Sequence, residues 1–299
     1  MAISTVRAQI NGTWYNLTLT GTNTYTATIT APGSTSFNRT GGYYDVTVEA
    51  TNTAGTVTTQ NAAGLAALKL VVREKVAPVI TILSPTSGAA VTNNKQPVAF
   101  TIVDEAGGSG INLSTLVVKQ DNTAVAASTI VSTAITNGYS VTYTPATALT
   151  DGSHTVTITV SDNDGNAATA KSTTYKVDTV PPTLNITAPT NELVTNASSL
   201  VVRGTTNDTA SSPVTVKITL NSADQGSVTV NTDGSFSKTL TLVNGTNTIV
   251  ITATDAAGKT SSVTRTVTLD TSKPVVKSAT ITPNPVDAGA SMVISVVVE

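Results

Sequence analysis

One hairpin is written three times in this chain, and its repetition limits the fold more than any other feature. Gly42-Tyr43-Tyr44-Asp45-Val46-Thr47-Val48 runs to Ala54-Gly55, Gly152-Ser153-His154-Thr155-Val156-Thr157-Ile158 to Asp164-Gly165, and Gly245-Thr246-Asn247-Thr248-Ile249-Val250-Ile251 to Ala257-Gly258. Each opens on a glycine turn, alternates apolar positions with Thr or Asp, and reaches a second glycine turn at the same distance. That is a strand with one face to a core and one to water. A Thr- and Ser-rich strand returns after each turn. The opening glycine recurs after 110 and then 93 residues, the spacing of sandwich domains rather than of a short solenoid repeat. Val46, Val156 and Ile249 are then expected to be equivalent buried positions in three consecutive two-layer units.

Composition narrows the class. Only 4% of residues are aromatic and 11% charged, so the cores must be built from Val, Ile, Leu and Ala. Such thin cores suit small two-layer domains better than a large enzyme fold, and the fold class is all-β. A net charge of −2 offers no basic field for a phosphate backbone, which excludes nucleic acid as a direct partner. The absence of cysteine removes thiolate chemistry, Cys-zinc sites and disulfides. Residues 1–7 lack the apolar core of a secretory signal and no run approaches membrane-spanning length. No membrane insertion is expected, and with Met1 as the start the chain is expected to fold in the cytosol.

The order of signals gives four segments: 1–75, 76–178, 179–270 and 271–299. The first opens on a hairpin around Asn11-Gly12, the strongest two-residue turn signal, and contains an Ala/Leu-rich stretch at 61–68 that predicts one helical turn. The second and third open alike, Val76-Ala77-Pro78 and Val180-Pro181-Pro182, each leading into an edge strand. Further strands are expected at 98–103, 116–120 and 140–143, then at 200–204, 214–220, 226–230 and 235–242. Residues 104–112, with three glycines, form the longest irregular stretch of the second segment. Short proline-stiffened linkers predict a rod of domains. A fourth, partial unit follows Pro274 with about two strands, and an isolated two-stranded hairpin is marginal. Its last strand, 292–298, carries Val293, Ile294, Val296 and Val298 and no charge. It is expected to add to the edge of the third domain or to pair with a neighbouring chain.

Candidate chemistry is sparse. His154 is the only histidine, so any Ser-His-Asp or His-metal scheme must use it. Asp162-Asn163-Asp164-Gly165 alternates oxygen ligands as calcium loops do, with Asp178 from the next linker as a third candidate. It lacks the distal glutamate of an EF-hand, and the competing reading is a turn capped by its own Asp. Trp14 alternates with Tyr15, so the two face opposite sides of the sheet, and Trp14 is a candidate interface aromatic. No catalytic residue and no cofactor other than this possible calcium is expected.

Val177-Asp178-Thr179-Val180-Pro181-Pro182, Asp233-Gly234-Ser235-Phe236, Asn244 to Ile249 and Thr254-Asp255-Ala256-Ala257-Gly258 resemble the tandem bacterial immunoglobulin-like repeats. The resemblance covers residues 76–270 and reaches the first segment only through its hairpin. It implies immunoglobulin-like β-sandwich domains and a non-enzymatic module that adheres, spaces or decorates. With the atypical first domain and the partial last one, the chain is similar to structural proteins of phage or prophage virions, from tail, baseplate or head appendages. The implied partners are other virion proteins and host cell-surface polysaccharide, with oligomerisation through the C-terminal strand. The alternative is an adhesin or stalk segment on a bacterial surface. In antibody-type sandwiches a corner Tyr bonds backbone two residues before a core Cys. Tyr44, His154 and Asn247 hold that place here.

Overall fold

The computed structural model describes residues 2–208 and 212–299. The chain divides into two compact units, residues 1–179 and 180–299. Nearly every regular element is a β-strand, and the helical ones are single 3-10 turns, including Ala66–Leu68 in the Ala/Leu-rich stretch. No helix among the described residues is long and apolar enough to cross a membrane.

The first unit begins with one sheet. Its strands are β1 (Ile3–Ile10), β2 (Thr13–Gly21), β3 (Thr24–Thr26), β4 (Tyr44–Asn52), β5 (Val57–Gln60) and β6 (Lys69–Leu70), ordered β3-β2-β1-β4-β5 with β6 also on β4. Asn11 at φ 50° and Gly12 at φ 84° make the tight turn between β1 and β2, with Ile10 opposite Thr13. Both positions require positive φ, which Asn and Gly reach most easily. Among the described residues no second sheet covers this one. Its buried set is Ala8, Tyr44 and Ala62 with Thr35 and Ser36. Val46 is therefore only half-buried, and the expected two-layer core is not formed here.

The second domain is a two-layer sandwich. One sheet is ordered β12-β13-β9-β7, from β7 (Val79–Ser84), β9 (Val98–Val103), β12 (Ile130–Ile135) and β13 (Gly138–Tyr143). The other is ordered β11-β10-β14-β15-β8, from β8 (Ala90–Val91), β10 (Ile111–Gln120), β11 (Thr123–Ala124), β14 (Gly152–Asp162) and β15 (Lys171–Val177). Val98, Phe100 and Ile102 of β9 point inward, as do Val156, Ile158 and Val160 of β14, with Tyr175 and Val177 of β15 beside them. The period-2 alternation puts these on one face and Thr on the other. The opening strand starts in one sheet as β7 and passes to the other as β8, which lies parallel to β15.

The second unit repeats this plan. One sheet is ordered β16-β18-β21, from β16 (Thr183–Ala188), β18 (Ser199–Asn207) and β21 (Ser235–Thr241). The other is ordered β17-β23-β22-β19-β20, from β17 (Leu193–Thr195), β19 (Thr215–Leu220), β20 (Ala223–Asp224), β22 (Gly245–Thr254) and β23 (Thr260–Leu269). Ile249 and Ile251 are fully buried, with Ile218, Leu240 and Val267 around them. Residues 226–230, expected as a strand, make only isolated bridges, Val228 to Val216 and Val230 to Phe236. Two partners on different strands cannot build one ladder.

Beyond Leu269, β24 (Val276–Thr282) and β25 (Val293–Val298) pair only with each other, Ile281 opposite Ile294. The expected addition of the last strand to the edge of the third domain does not occur. Every residue of both strands is exposed, Val293, Ile294, Val296 and Val298 by more than half.

Candidate functional site

The repeated corner uses its polar groups to close the fold. The Tyr44 hydroxyl donates to the Ser34 carbonyl at 3.0 Å. His154 Nε2 lies 2.7 Å from the Thr150 carbonyl, and Asn247 Nδ2 donates to the Val243 carbonyl at 2.7 Å. The last two bonds reach back over the same four residues. The other side of His154 and of Asn247 is held by a turn that carried no signal in the sequence. His154 Nδ1 is 2.7 Å from Asp121 Oδ2, and Asn221 Nδ2 donates to Asn247 Oδ1 at 3.2 Å. Asp121 and Asn221 occupy the same left-handed turn position, at φ 49° and 48°. Each also accepts from the strand behind it, Thr155 N or Thr248 N.

Both His154 ring nitrogens face acceptors, an arrangement that the doubly protonated ring satisfies by donating to each. Burial opposes that charge, but hydrogen bonds to Asp121 and Thr150 and the Asp121 charge outweigh it and raise the His154 pKa above 6.5. Burial likewise opposes the Asp121 carboxylate, while the bonds from His154 and Thr155 hold its pKa below the usual value. A histidine with both nitrogens committed to the fold has none left to act as a general base.

The three calcium candidates do not converge. Asp162 is buried in its own turn, where Oδ1 accepts from Gly165 N at 2.7 Å and Asn166 N at 2.8 Å, and Oδ2 from Asn166 Nδ2 at 2.8 Å. This is the Asp-capped turn. Asp164 Oδ2 instead accepts from Thr35 Oγ1 at 2.5 Å and Glu74 N at 3.0 Å, fastening the first domain to the second. Asp178 follows Val177, which pairs with Gly152 at the opposite end of β14. Ten residues of extended strand, roughly 33 Å, separate it from Asp162.

A different acidic group forms at that first junction. Glu74, on the segment leaving the first domain, meets Asp104 and Glu105 of the irregular stretch after β9, with a carboxylate oxygen of each within 4.8 Å of the others. Burial and hydrogen bonding with Asp104 push the Glu105 pKa up to about 7. Burial and a hydrogen bond shared with Asp162 raise that of Glu74. Only the irregular stretch was visible in the sequence; nothing in its spacing marked Glu74 as its partner.

Trp14 lies on the polar face of the first sheet, half-buried, with the Arg7 guanidinium over its ring at 4.2 Å. Glu49 holds Arg7 by a 2.7 Å bond from Nε. Tyr15 lies opposite Ala8 on the other face, as alternation requires. In the second unit an open cleft of about 690 Å³ is lined by Thr183, Asn207, Asn231 and Asp233 and by no aromatic ring among the described residues.

Residues 84–179 match the family model described as Bacterial Ig-like domain, and residues 182–271 match that of Glucodextranase, domain B. No curated protein matches the sequence. Among solved structures, the fibronectin(III)-like modules of Clostridium thermocellum CbhA are 17% identical over 64% of this chain and 94% of theirs, with a TM-score of 0.41. Sidekick-1 immunoglobulin domains 1–5 are 13% identical over 92% of this chain and 55% of theirs, at 0.37. SGBP-B of the Bacteroides ovatus mixed-linkage glucan utilization locus, solved with a mixed-linkage heptasaccharide, is 15% identical over 94% of this chain and 65% of its own, at 0.23. Domains of the immunoglobulin-like and fibronectin-like kinds are generally non-catalytic. The paired sheets of residues 76–270 and the two family-model matches together make this a chain of tandem immunoglobulin-like β-sandwich domains.

Proposed function

We propose that the chain is a non-enzymatic structural and adhesive module of a phage or phage-like particle, displaying its immunoglobulin-like domains for weak contact with host surface polysaccharide. The observation that carries this reading is the outward face of the repeated hairpin. Thr155 meets Thr174, Thr157 meets Ser172 and Thr252 meets Ser262, each pair at 2.9 Å across its strands. These are hydroxyl-rich surfaces with few charges, Lys119 and Lys176 in the second domain and Lys217 in the third. They offer sugars many shallow hydrogen bonds and give no reacting atom an enclosed pocket. Trp14, with Arg7 and Glu49, is the aromatic anchor such a surface would use. Single contacts of this kind are weak, and display in many copies multiplies them through effective concentration.

Support for the particle setting comes from the sequence pattern of tandem repeats behind an atypical first domain. The exposed β24–β25 hairpin is the surface by which the chain joins a neighbouring copy or particle protein. The match of residues 84–179 to a bacterial Ig-like model suits a surface adhesin or stalk equally well, which is the second reading. Gold-labelled antibody against the chain separates them in electron micrographs of an infected culture. Label on particles is expected; label confined to cell envelopes would overturn the particle assignment in favour of the adhesin.

A further inference from the structure

We propose that Glu74, Asp104 and Glu105 form a divalent-cation site, selective for calcium, that clamps the first domain to the second. The three carboxylates approach to within 4.8 Å, which is the span of oxygens sharing one calcium at 2.3–2.6 Å. Crowding like charges costs free energy unless something positive sits among them. Among the described residues none of the three is in an ion pair with Lys or Arg.

Two orphaned oxygens point to the ligand independently of the crowding. Asp104 is 4% exposed; its Oδ2 accepts from Gly110 N at 2.7 Å, while Oδ1 is buried without a partner. Glu105 Oε2 is also buried without one. A buried carboxylate oxygen left unpaired costs at least as much as a lost hydrogen bond, and a cation between the two supplies what both lack. Glu74 keeps acceptor capacity while bonded to Ser109 Oγ at 3.1 Å and Val76 N at 2.6 Å.

Gly108 lets the loop close on the carboxylates. A Cβ there would stand 2.7 Å from Asp104 Oδ2 and 2.7 Å from Glu105 Oε1. The donors are all hard oxygens, from an irregular loop with Glu74 and Glu105 only half-buried, so water can complete the shell. That favours calcium over magnesium, which demands a tighter octahedron. Because Glu74 belongs to the linker and the other two to the second domain, the ion would tie the linker down beside the Asp164 strap.

Calorimetric titration and thermal melts of the full chain, in chelator and then in excess calcium, test this. Expected are one calcium bound per chain and a first-unit melting temperature about 5 °C higher at about 10 mM calcium, with a smaller response to magnesium. Glu105→Gln and Asp104→Asn are each expected to weaken calcium binding at least about tenfold. Glu105→Gln should melt in chelator as the parent does, which keeps a binding loss distinct from misfolding. No heat and no shift with the parent chain would overturn the proposal and leave Asp104 and Glu105 as a pair sharing a proton. Binding undiminished in both variants would place the ion elsewhere and overturn it equally.

Discussion

His154 and Asn247 close equivalent corners with different chemistry, and only one of them can titrate. The His154 pKa is raised by its partners, so its stabilisation is fully present below the unfolded value near 6.5 and is lost as pH rises through the folded value. The Asp121 pKa is lowered, so its share is present above about 3.9 and is lost as pH falls through its folded value. The second domain is therefore expected to be most stable between those limits and to lose stability as pH rises from about 6.5 through the folded His154 value. Replacing His154 with Asn copies the third domain's corner and should flatten that fall while keeping the fold; melts from pH 5 to 9 check it. A second contrast concerns the hairpin positions. Ile158→Ala empties a fully buried site and should cost about 2–5 kcal/mol in the second-domain transition. Val46→Ala should cost less than about 1 kcal/mol, because no second layer covers Val46. Denaturant unfolding resolves the two. His154 and Asn247 were readable from their distance to Val156 and Ile249. Asp121 was not, because its role arises from a turn closing on a strand more than 30 residues away.

Strands announced themselves where alternation was long and the turn was chemically marked. Asn11-Gly12 brought β1 and β2 into register, and β9 and β14 read directly from alternating apolar positions. Very short strands carry no period: β8, β11, β17 and β20 span two or three residues and exist because a neighbouring edge offers hydrogen bonds. Strand β12 was passed over although Asn137, at φ 57°, marks its turn; its outward residues are exposed and its pattern is weak. In the first domain the hairpin motif is intact, yet its surroundings supply no opposing sheet, so burial could not be read from the motif. The terminal hairpin carries a prediction at this scale. Since β24 and β25 pair only with each other, deleting residues 275–299 should leave third-domain melting within about 1 °C. It should also reduce self-association or incorporation into particles, read by light scattering and by particle composition. Unchanged mass and incorporation would count against the hairpin as an assembly surface.

For the whole molecule, thin aliphatic cores and hydroxyl-rich faces imply one way of working. In the two sandwiches the corner histidine, the corner amide and the turn aspartate Asp162 are all bonded to backbone. Outer faces carrying few charges and one half-buried Trp suit the weak, multiply displayed contacts of the proposed function. That scarcity of charge and aromatic rings was visible in composition; the junction that orders the first two domains was not, because Glu74, Asp104, Asp164 and Thr35 come from four separated stretches that only the fold assembles. The most direct measurement is retention on purified bacterial cell-surface polysaccharide as a function of how densely the chain is coupled to beads. Avidity predicts retention rising at least about 100-fold from sparse to dense coupling, with the free chain scarcely held and no sugar released. Equal retention at every density, none at any, or liberation of reducing sugar would contradict a passive, multiply displayed module.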